Sequence, residues 1–428
     1  MSNETRGKWA LASRALAALI LVAMSMLAIP GMAAPTSAPI KIGAILPLSS
    51  VEPVVHDEEK RGFELAIEHF GRVQGRQIEL TVADVTTMEA AQSEARRLIK
   101  NGVQVLIGTA VDSWDKAVAP ICERSNVVFW LTLTGGPELT EMGSPWVFRT
   151  CPVSPDEGKF QAQWFVDDLM PRLKMKPSEV KAGLIYRDDS WGATMGEAAA
   201  EVLKKAGIKI AVQEYYSGEE IRDMSTVVLK MKAAGVNAVF TGHFREAGIL
   251  FWDAAKKYDF NPVVAVGTGA FEGTDQVVEV LGAKGAEGIL SSNYPPEHAP
   301  VSFAPDVPRI LKSYRDKYGE SIRTPHVLSA YTGMRFLIDA LSRTENLDST
   351  ESIRKAIMAT DIPQGKMGVG WGCSFSTAQK PWQGMIGQNT RAFYAGTQFI
   401  NGELWQVYPE ASPGKEVRLP MPKWNEKR

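Results

Sequence analysis

The side chains best suited to chemistry fall in two short stretches. Asp112, Ser113 and Trp114 stand together, and Leu133, Thr134 and Gly135 follow the next apolar run. Hydroxyls, a carboxyl and main-chain N–H groups can grip a small polar solute, and an indole supplies an apolar wall. Trp191 and Phe244 add two more rings, and like Trp114 each is expected in a loop just past a strand end. A packed core does not need rings there, so the three together imply an aromatic-lined pocket. This is the chemistry of binding.

Patterns for catalysis or metal binding are missing from the sequence. There is no GxxxxGKS/T, HExxH, GxSxG or EF-hand loop. His56, His69, His243, His298 and His326 are scattered without an i, i+4 pair, so no metal site is expected. Acidic pairs such as Glu58-Glu59 and Asp188-Asp189 read as solvated faces or caps. The run from Gly267 through Gly269 to Gly273 resembles a dinucleotide fingerprint, but its third glycine is one place late and it reads as a strand-to-helix turn. No cofactor and no enzymatic activity are expected.

The elements that must carry these residues alternate. Residues 103–107 form a β-branched apolar run too short for a free-standing helix, the signature of a buried parallel strand. A loop is expected from Gly108 through Trp114, then a helix over 115–124. A second strand over 126–131 stops just before Thr134, Gly135 and Gly136. Ligands of open α/β sheets sit past the carboxyl ends of the strands, so both strands deliver small and hydroxylic residues to one edge. Upstream, strands at 41–48 and 78–85 alternate with helices at 57–70 and 88–100. A second series follows residue 150, with helices at 159–170, 192–206, 221–234 and 246–258 and strands at 181–186, 208–216, 237–241, 262–266 and 288–292. Helices at 307–318, 327–342 and 349–360 come next, and the part from residue 366 reads as strands and turns. The fold class is therefore α/β, with two doubly wound parallel-sheet lobes.

The 428 residues suffice for two such lobes, and 45% hydrophobic with 22% charged residues is ordinary for a globular chain. A net charge of -2 without a basic stripe gives no reason to expect nucleic acid as a partner. Arg6, Lys8 and Arg14 precede an apolar run over 15–29, which Pro30 and Gly31 break, with small residues at Gly31 and Ala33. That pattern predicts a signal peptide over 1–33 and export. The alternative, a spanning anchor, needs about 20 apolar residues. Of the three cysteines, Cys122 falls on the inner face of a helix pattern, and a Cys151–Cys373 bridge is left open.

The chain resembles the type I periplasmic solute-binding proteins, in the leucine/isoleucine/valine-binding branch that serves ABC importers. The resemblance rests on IKIGAILPLS at 40–49, Gly62, VLIG at 105–108, GGPELT at 135–140 and VFRT at 147–150. YRDDSWG at 186–192, FTGHFREAG at 240–248 and AEGIL at 286–290 complete it. It covers almost the whole chain after the leader and implies two lobes closing around a small-molecule solute by hinge motion. Lobe one would comprise 40–149 plus 291–385 and lobe two 150–290 plus 386–428, with three crossings near Thr150, Ser291 and within 380–400.

The family's serine and threonine that grip a ligand carboxylate fall at Asp112, beside Ser113, and at Gly135, beside Thr134. Its acid for a ligand ammonium falls near Gly269, with Glu272 the nearest acid. Its second-lobe aromatics fall at Trp191 and Phe244, and its first-lobe aromatic near Val55 or His56. With both polar anchors changed, the pocket suits a neutral hydroxylated, amide or cationic solute, the last through cation–π contact. The resemblance implies a periplasmic substrate-binding protein whose partner is the membrane permease of an ABC transporter. A ligand-sensing module for a membrane receptor or kinase is the alternative.

Overall fold

The computed structural model describes residues 38–217 and 221–427. The leader expected over 1–33 lies outside them. No helix among the described residues is long and apolar enough to cross a membrane.

Strands and helices alternate through the first lobe: β1 (Ile40–Leu46), α1 (Pro53–Phe70), β2 (Arg72–Val73), β3 (Arg76–Asp84), α2 (Met88–Lys100), β4 (Val105–Ile107), α3 (Asp112–Arg124), β5 (Val128–Leu131), α4 (Glu138–Glu141) and β6 (Val147–Arg149). The first sheet has the order β2-β3-β1-β4-β5-β6. Its strands are parallel apart from the β2–β3 hairpin, with Ile42 level with Leu80 on one side and Val105 on the other. Every residue of β4, β5 and β6 is buried, as expected for strands covered on both faces.

Next come α5 (Ser154–Trp164), a π-helical turn at Phe165–Leu169, α6 (Met170–Arg172), β7 (Lys181–Arg187), α7 (Ser190–Lys205), β8 (Lys209–Tyr216), α8 (Ser225–Ala234), β9 (Ala238–Gly242), α9 (Arg245–Lys257), β10 (Val264–Thr268), α10 (Gln276–Ala286) and β11 (Leu290–Asn293). The chain returns to the first lobe as α11 (Val307–Tyr318), α12 (His326–Ser342) and α13 (Thr350–Met358), then finishes with β12 (Ala395–Ile400) and β13 (Glu403–Tyr408). The second sheet runs β13-β12-β11-β10-β9-β7-β8, parallel from β11 to β8 and antiparallel at the β12–β13 end. The α/β class with two parallel-dominated sheets is thus the observed architecture.

Three crossings join the two sheets, between β6 and α5, after β11 and before β12. The first and third are lashed together. Asn389 donates its main-chain N–H to Arg149 O at 2.9 Å and its Nδ2 to Thr150 O at 2.9 Å, and Gln388 Nε2 donates to Cys151 O at 2.9 Å. Cys122, Cys151 and Cys373 are all buried free thiols, so the bridge left open by the sequence is not formed.

In each lobe one pair of helices packs at backbone distance. On α1, a Cβ at Gly62 would lie 2.4 Å from the carbonyl oxygen of Val327 on α12. On α5, a Cβ at Gly158 would lie 2.0 Å from that of Met195 on α7. Only glycine permits this approach.

The structure also corrects the reading of several elements. Trp114 and Trp191 sit in the first turns of α3 and α7, and Phe244 is the residue before α9; none is in an open loop. Helix α10 was not expected, because Gly282, at φ 73°, breaks its pattern.

Candidate functional site

The carboxyl ends of β1, β4 and β5 face those of β7, β9 and β10 across a cleft of about 900 Å³. From lobe one its wall carries His56, Asp112, Ser113, Trp114, Leu133 and Gly135. From lobe two it carries Trp191, Phe244 and Gly269. Thr134 is not on the wall. It is buried, and its hydroxyl donates to the carboxylate of Asp115, which also accepts the Thr109 N–H at 2.6 Å.

Helix α3 starts at Asp112 because Trp114 and Asp115 turn their N–H groups back to Val111 O at 3.0 and 2.9 Å. The N–H groups of Asp112 and Ser113 lie ahead of that ladder, at the positive end of the helix dipole. Asp112 Oδ1 accepts the Gly136 N–H at 2.8 Å, which ties the helix to the loop after β5. Burial pushes the Asp112 carboxyl up to about 6, against the opposing pull of Gly136 N–H and Arg149. Arg149 is fully buried beneath that loop. Its guanidinium donates to Gly136 O at 2.7 Å and to the Thr140 hydroxyl, and burial lowers its pKa. A cation with main-chain acceptors thus fixes the shape of the loop from Thr134 to Gly136.

In lobe two Asp189 caps α7, accepting the Gly192 N–H at 2.9 Å, and so sets the position of Trp191. The Trp191 and Phe244 rings lie 5.0 Å apart at 34°, and the Arg187 guanidinium sits 4.6 Å from the Phe244 centroid. Phe244 therefore has a cation of its own, which weakens the case for cation–π capture of a ligand at this ring. Glu272, the acid nearest Gly269 in sequence, is not on the cleft wall. It is fully buried and accepts from His243 Nδ1 at 2.7 Å, Thr241 Oγ1 at 3.0 Å and Trp252 Nε1 at 3.3 Å.

Sequence reasoning missed the cleft floor, which comes from the crossings and from helix starts beside them. Tyr294 and Tyr394, one from each of two crossings, stack at 5.8 Å and 23° and line the cleft with Glu157, Asn293 and His326. Ser154-Pro155-Asp156-Glu157 is a helix-start signature that could have placed Glu157 one turn inside α5. Its carboxyl accepts from Ser292 Oγ at 2.7 Å. Burial pushes it up to about 8, although Ser292, the Gly269 N–H and Tyr394 favour the anion. Folded Glu157 thus keeps a proton that the unfolded chain gives up near its ordinary value of 4.5. The stability this contributes is full below about pH 4.5 and is lost as pH rises to about 8. Asp115, pushed up to about 7, acts in the same direction. In Glu157→Gln the fall in unfolding free energy between about pH 5.5 and 8.5 should shrink by roughly 3 kcal/mol. Denaturant unfolding at the two pH values measures this, and an unchanged fall would place the proton elsewhere.

Contacts across the cleft hold the lobes together. Ser190, at the start of α7, donates its hydroxyl to Glu138 of α4. The Arg245 N–H donates to Glu52 Oε1 at 3.1 Å, and Arg323 Nη2 pairs with Glu279 at 2.5 Å. Glu52 sits at φ 41°, an unfavourable left-handed conformation for a non-glycine residue, and its side chain serves this clasp instead of capping α1.

Two sheets meeting at their strand ends, joined by three crossings and clasped across a cleft, define a bilobed module of the type I periplasmic binding fold. The chain belongs to the periplasmic binding protein family, whose model matches residues 39–388. It is 30% identical over 405 residues to Leu/Ile/Val-binding protein homolog 7 of Brucella suis biovar 1, covering 94% of this chain and 99% of that protein. Among solved structures it is similar to the leucine binding protein LivK of Thermotoga maritima, with TM-score 0.71, 19% identity and coverage of 85% and 97%. It is also similar to an ABC-transporter solute binding protein of Rhodopseudomonas palustris solved with 3,4-dihydroxy benzoic acid. There the TM-score is 0.72, the identity 17% and the coverage 86% and 96%. At these identities the two structures establish the shared fold.

Proposed function

We propose that this chain is the solute-capturing component of an ABC importer of the branched-chain amino acid type and performs no catalysis. A small polar or aromatic solute enters the open cleft, the lobes close over it, and the closed form delivers it to the membrane permease. The observation that carries this reading is the clasp, in which Ser190–Glu138 and Arg245–Glu52 join the lobes around a cleft that both lobes line. A ligand shifts a hinge equilibrium through the contacts it makes with both lobes in the closed form alone, and a cleft that both lobes line offers them.

Asp112, Ser113, Trp114, Leu133, Gly135 and His56 would meet the ligand from lobe one, and Trp191, Phe244 and Gly269 from lobe two. Thr134 would act from behind through Asp115. Residues 1–33 would direct export to the periplasm. Lobe one would span 40–149 plus 291–385, and lobe two 150–290 plus 386–428. The names of the similar proteins span an aliphatic amino acid and a hydroxylated aromatic acid, and a cleft of about 900 Å³ has room for either.

The test is a melting screen of amino acids, amides, polyols, amines and aromatic acids, followed by small-angle scattering with each hit. A captured solute at about 100 times its Kd adds about 2.7 kcal/mol to stability and reduces the radius of gyration. If no solute shifts melting, or if the hits leave the scattering unchanged, the capture reading fails.

A further inference from the structure

The cleft holds more carboxyl groups than its own cations answer. Among the described residues six acidic side chains line it, against the cations Lys116, Arg187 and Arg245. Each of those cations is already engaged. Arg187 pairs with Asp189 at 2.7 Å, Lys116 with Glu138 at 3.7 Å, and Arg245 Nη1 donates to Gln276 Oε1 at 3.5 Å. A cleft lined by an excess of one sign focuses its field on whatever enters. Asp112 is the acid best placed to use it. It is partly exposed on the wall, Oδ1 accepts the Gly136 N–H at 2.8 Å, and Oδ2 accepts no hydrogen bond within the protein yet is not sealed from solvent. The carboxyl stands at the start of α3, where free main-chain N–H groups favour an anion, so the protein's own acid fills that corner. The charged groups that act on it are Arg149 beneath the loop, Asp189 from the other lobe, Glu138 on α4 and Asp115 on its own helix. Arg149 is held by Gly136 O and the Thr140 hydroxyl, and the other three are acids.

We infer that Asp112 anchors a cationic group of the captured solute, so that the ligand class is a small primary amine without a carboxylate. This rests on the capture reading above and narrows it. An ammonium group set against Oδ2 supplies the cation that the wall lacks, in a closed cleft where the attraction is stronger than in water. The rings of Trp114, Trp191 and Phe244 then cover the apolar remainder of the amine. A carboxylate brought to the same corner would meet like charge, which suppresses the wrong partner. An α-amino acid shares the ammonium and its N–H donors with the amine, so the discrimination turns on the carboxylate alone.

Titration calorimetry at about pH 7.5 on three pairs that differ by a carboxylate tests the inference: isoamylamine with leucine, phenethylamine with phenylalanine, and tyramine with tyrosine. In the wild type the amine of the best-binding pair should bind about 30-fold or more tightly than its amino acid. Asp112→Asn keeps an oxygen for the Gly136 N–H and removes the charge, and it should cut that preference by about tenfold or more. The Asp112 carboxyl titrates at about 6, so it holds an ammonium above that pH and loses it below. Amine binding should therefore weaken about tenfold from about pH 7.5 to about pH 5 in the wild type and not in Asp112→Asn. Asp112→Ser serves if Asp112→Asn fails to fold, with the ligand-free melting curve as the check. Equal or tighter binding of the amino acid overturns the inference, and so does a preference or a pH dependence that survives in the variant. Absence of binding by every pair also overturns it, whereas the capture reading stands or falls on the broader melting and scattering screen.

Discussion

Gly158→Ala is expected to lower the free energy of unfolding by about 3 kcal/mol. The added Cβ would come within 2.0 Å of the Met195 carbonyl oxygen, a main-chain atom that cannot rotate aside. Helices α5 and α7 would have to separate, and α5 carries Glu157 and Gln161. Gln161 Nε2 is bound at 2.9 Å to Gly267 O and at 3.2 Å to Thr241 O, beneath the second sheet's strand ends. The methyl group is therefore felt both in packing and in a buried polar network. Denaturant unfolding followed by circular dichroism measures the loss, and a change under about 1 kcal/mol would show that the helices slide apart at little cost.

Trp191→Ala is expected to weaken binding of the best solute from the melting screen by about 30-fold or more, as for a central aromatic anchor. The indole reaches across to the first-lobe loop, where a Cβ on Gly135 would lie 3.0 Å from its Cδ1, and it packs at a tilt against Phe244 on its own lobe. Its loss would remove a ring from the cleft wall and the contact with the first-lobe loop together. Phe244→Ala should cost less, because Arg187 packs on Phe244 and can partly refill the space. Trp191 is only partly buried and the Asp189 cap stays in place, so the fold should survive. Affinity within threefold of wild type would remove Trp191 from the site.

The alternation of strands and helices was legible because buried parallel strands leave short, uninterrupted apolar runs between capped helices. Helix α2 matches its expected span of 88–100, and there Thr87 accepts the Ala90 N–H at 3.1 Å as a side-chain cap. Helices α1, α3 and α5 begin three to five residues earlier than expected. The residues before them, Glu52, Val111 and Val153, make no side-chain cap, so the usual start signal is missing. Nine of the ten residues singled out in the sequence line one cleft, because the ends of parallel strands converge on one edge. The tenth, Thr134, points into the protein toward Asp115. Glu157, Tyr294, Tyr394 and His326 were not legible. They reach the cleft from segments far apart in the chain, and nothing local to each signals that the others will be there.

The second sheet also has a consequence for the order of assembly. Strand β11 has β10 on one side and β12 on the other, and its Ser291 meets Thr397 at 2.6 Å across a separation of 106 residues. Between these partners the chain leaves to complete the first lobe. Until β12 arrives, β11 presents a row of unpaired main-chain groups on a wholly buried strand, an open template for a second chain. Contacts so distant in sequence form slowly. Self-association during refolding is therefore expected at this edge, and chains ending before residue 395 would keep it open permanently.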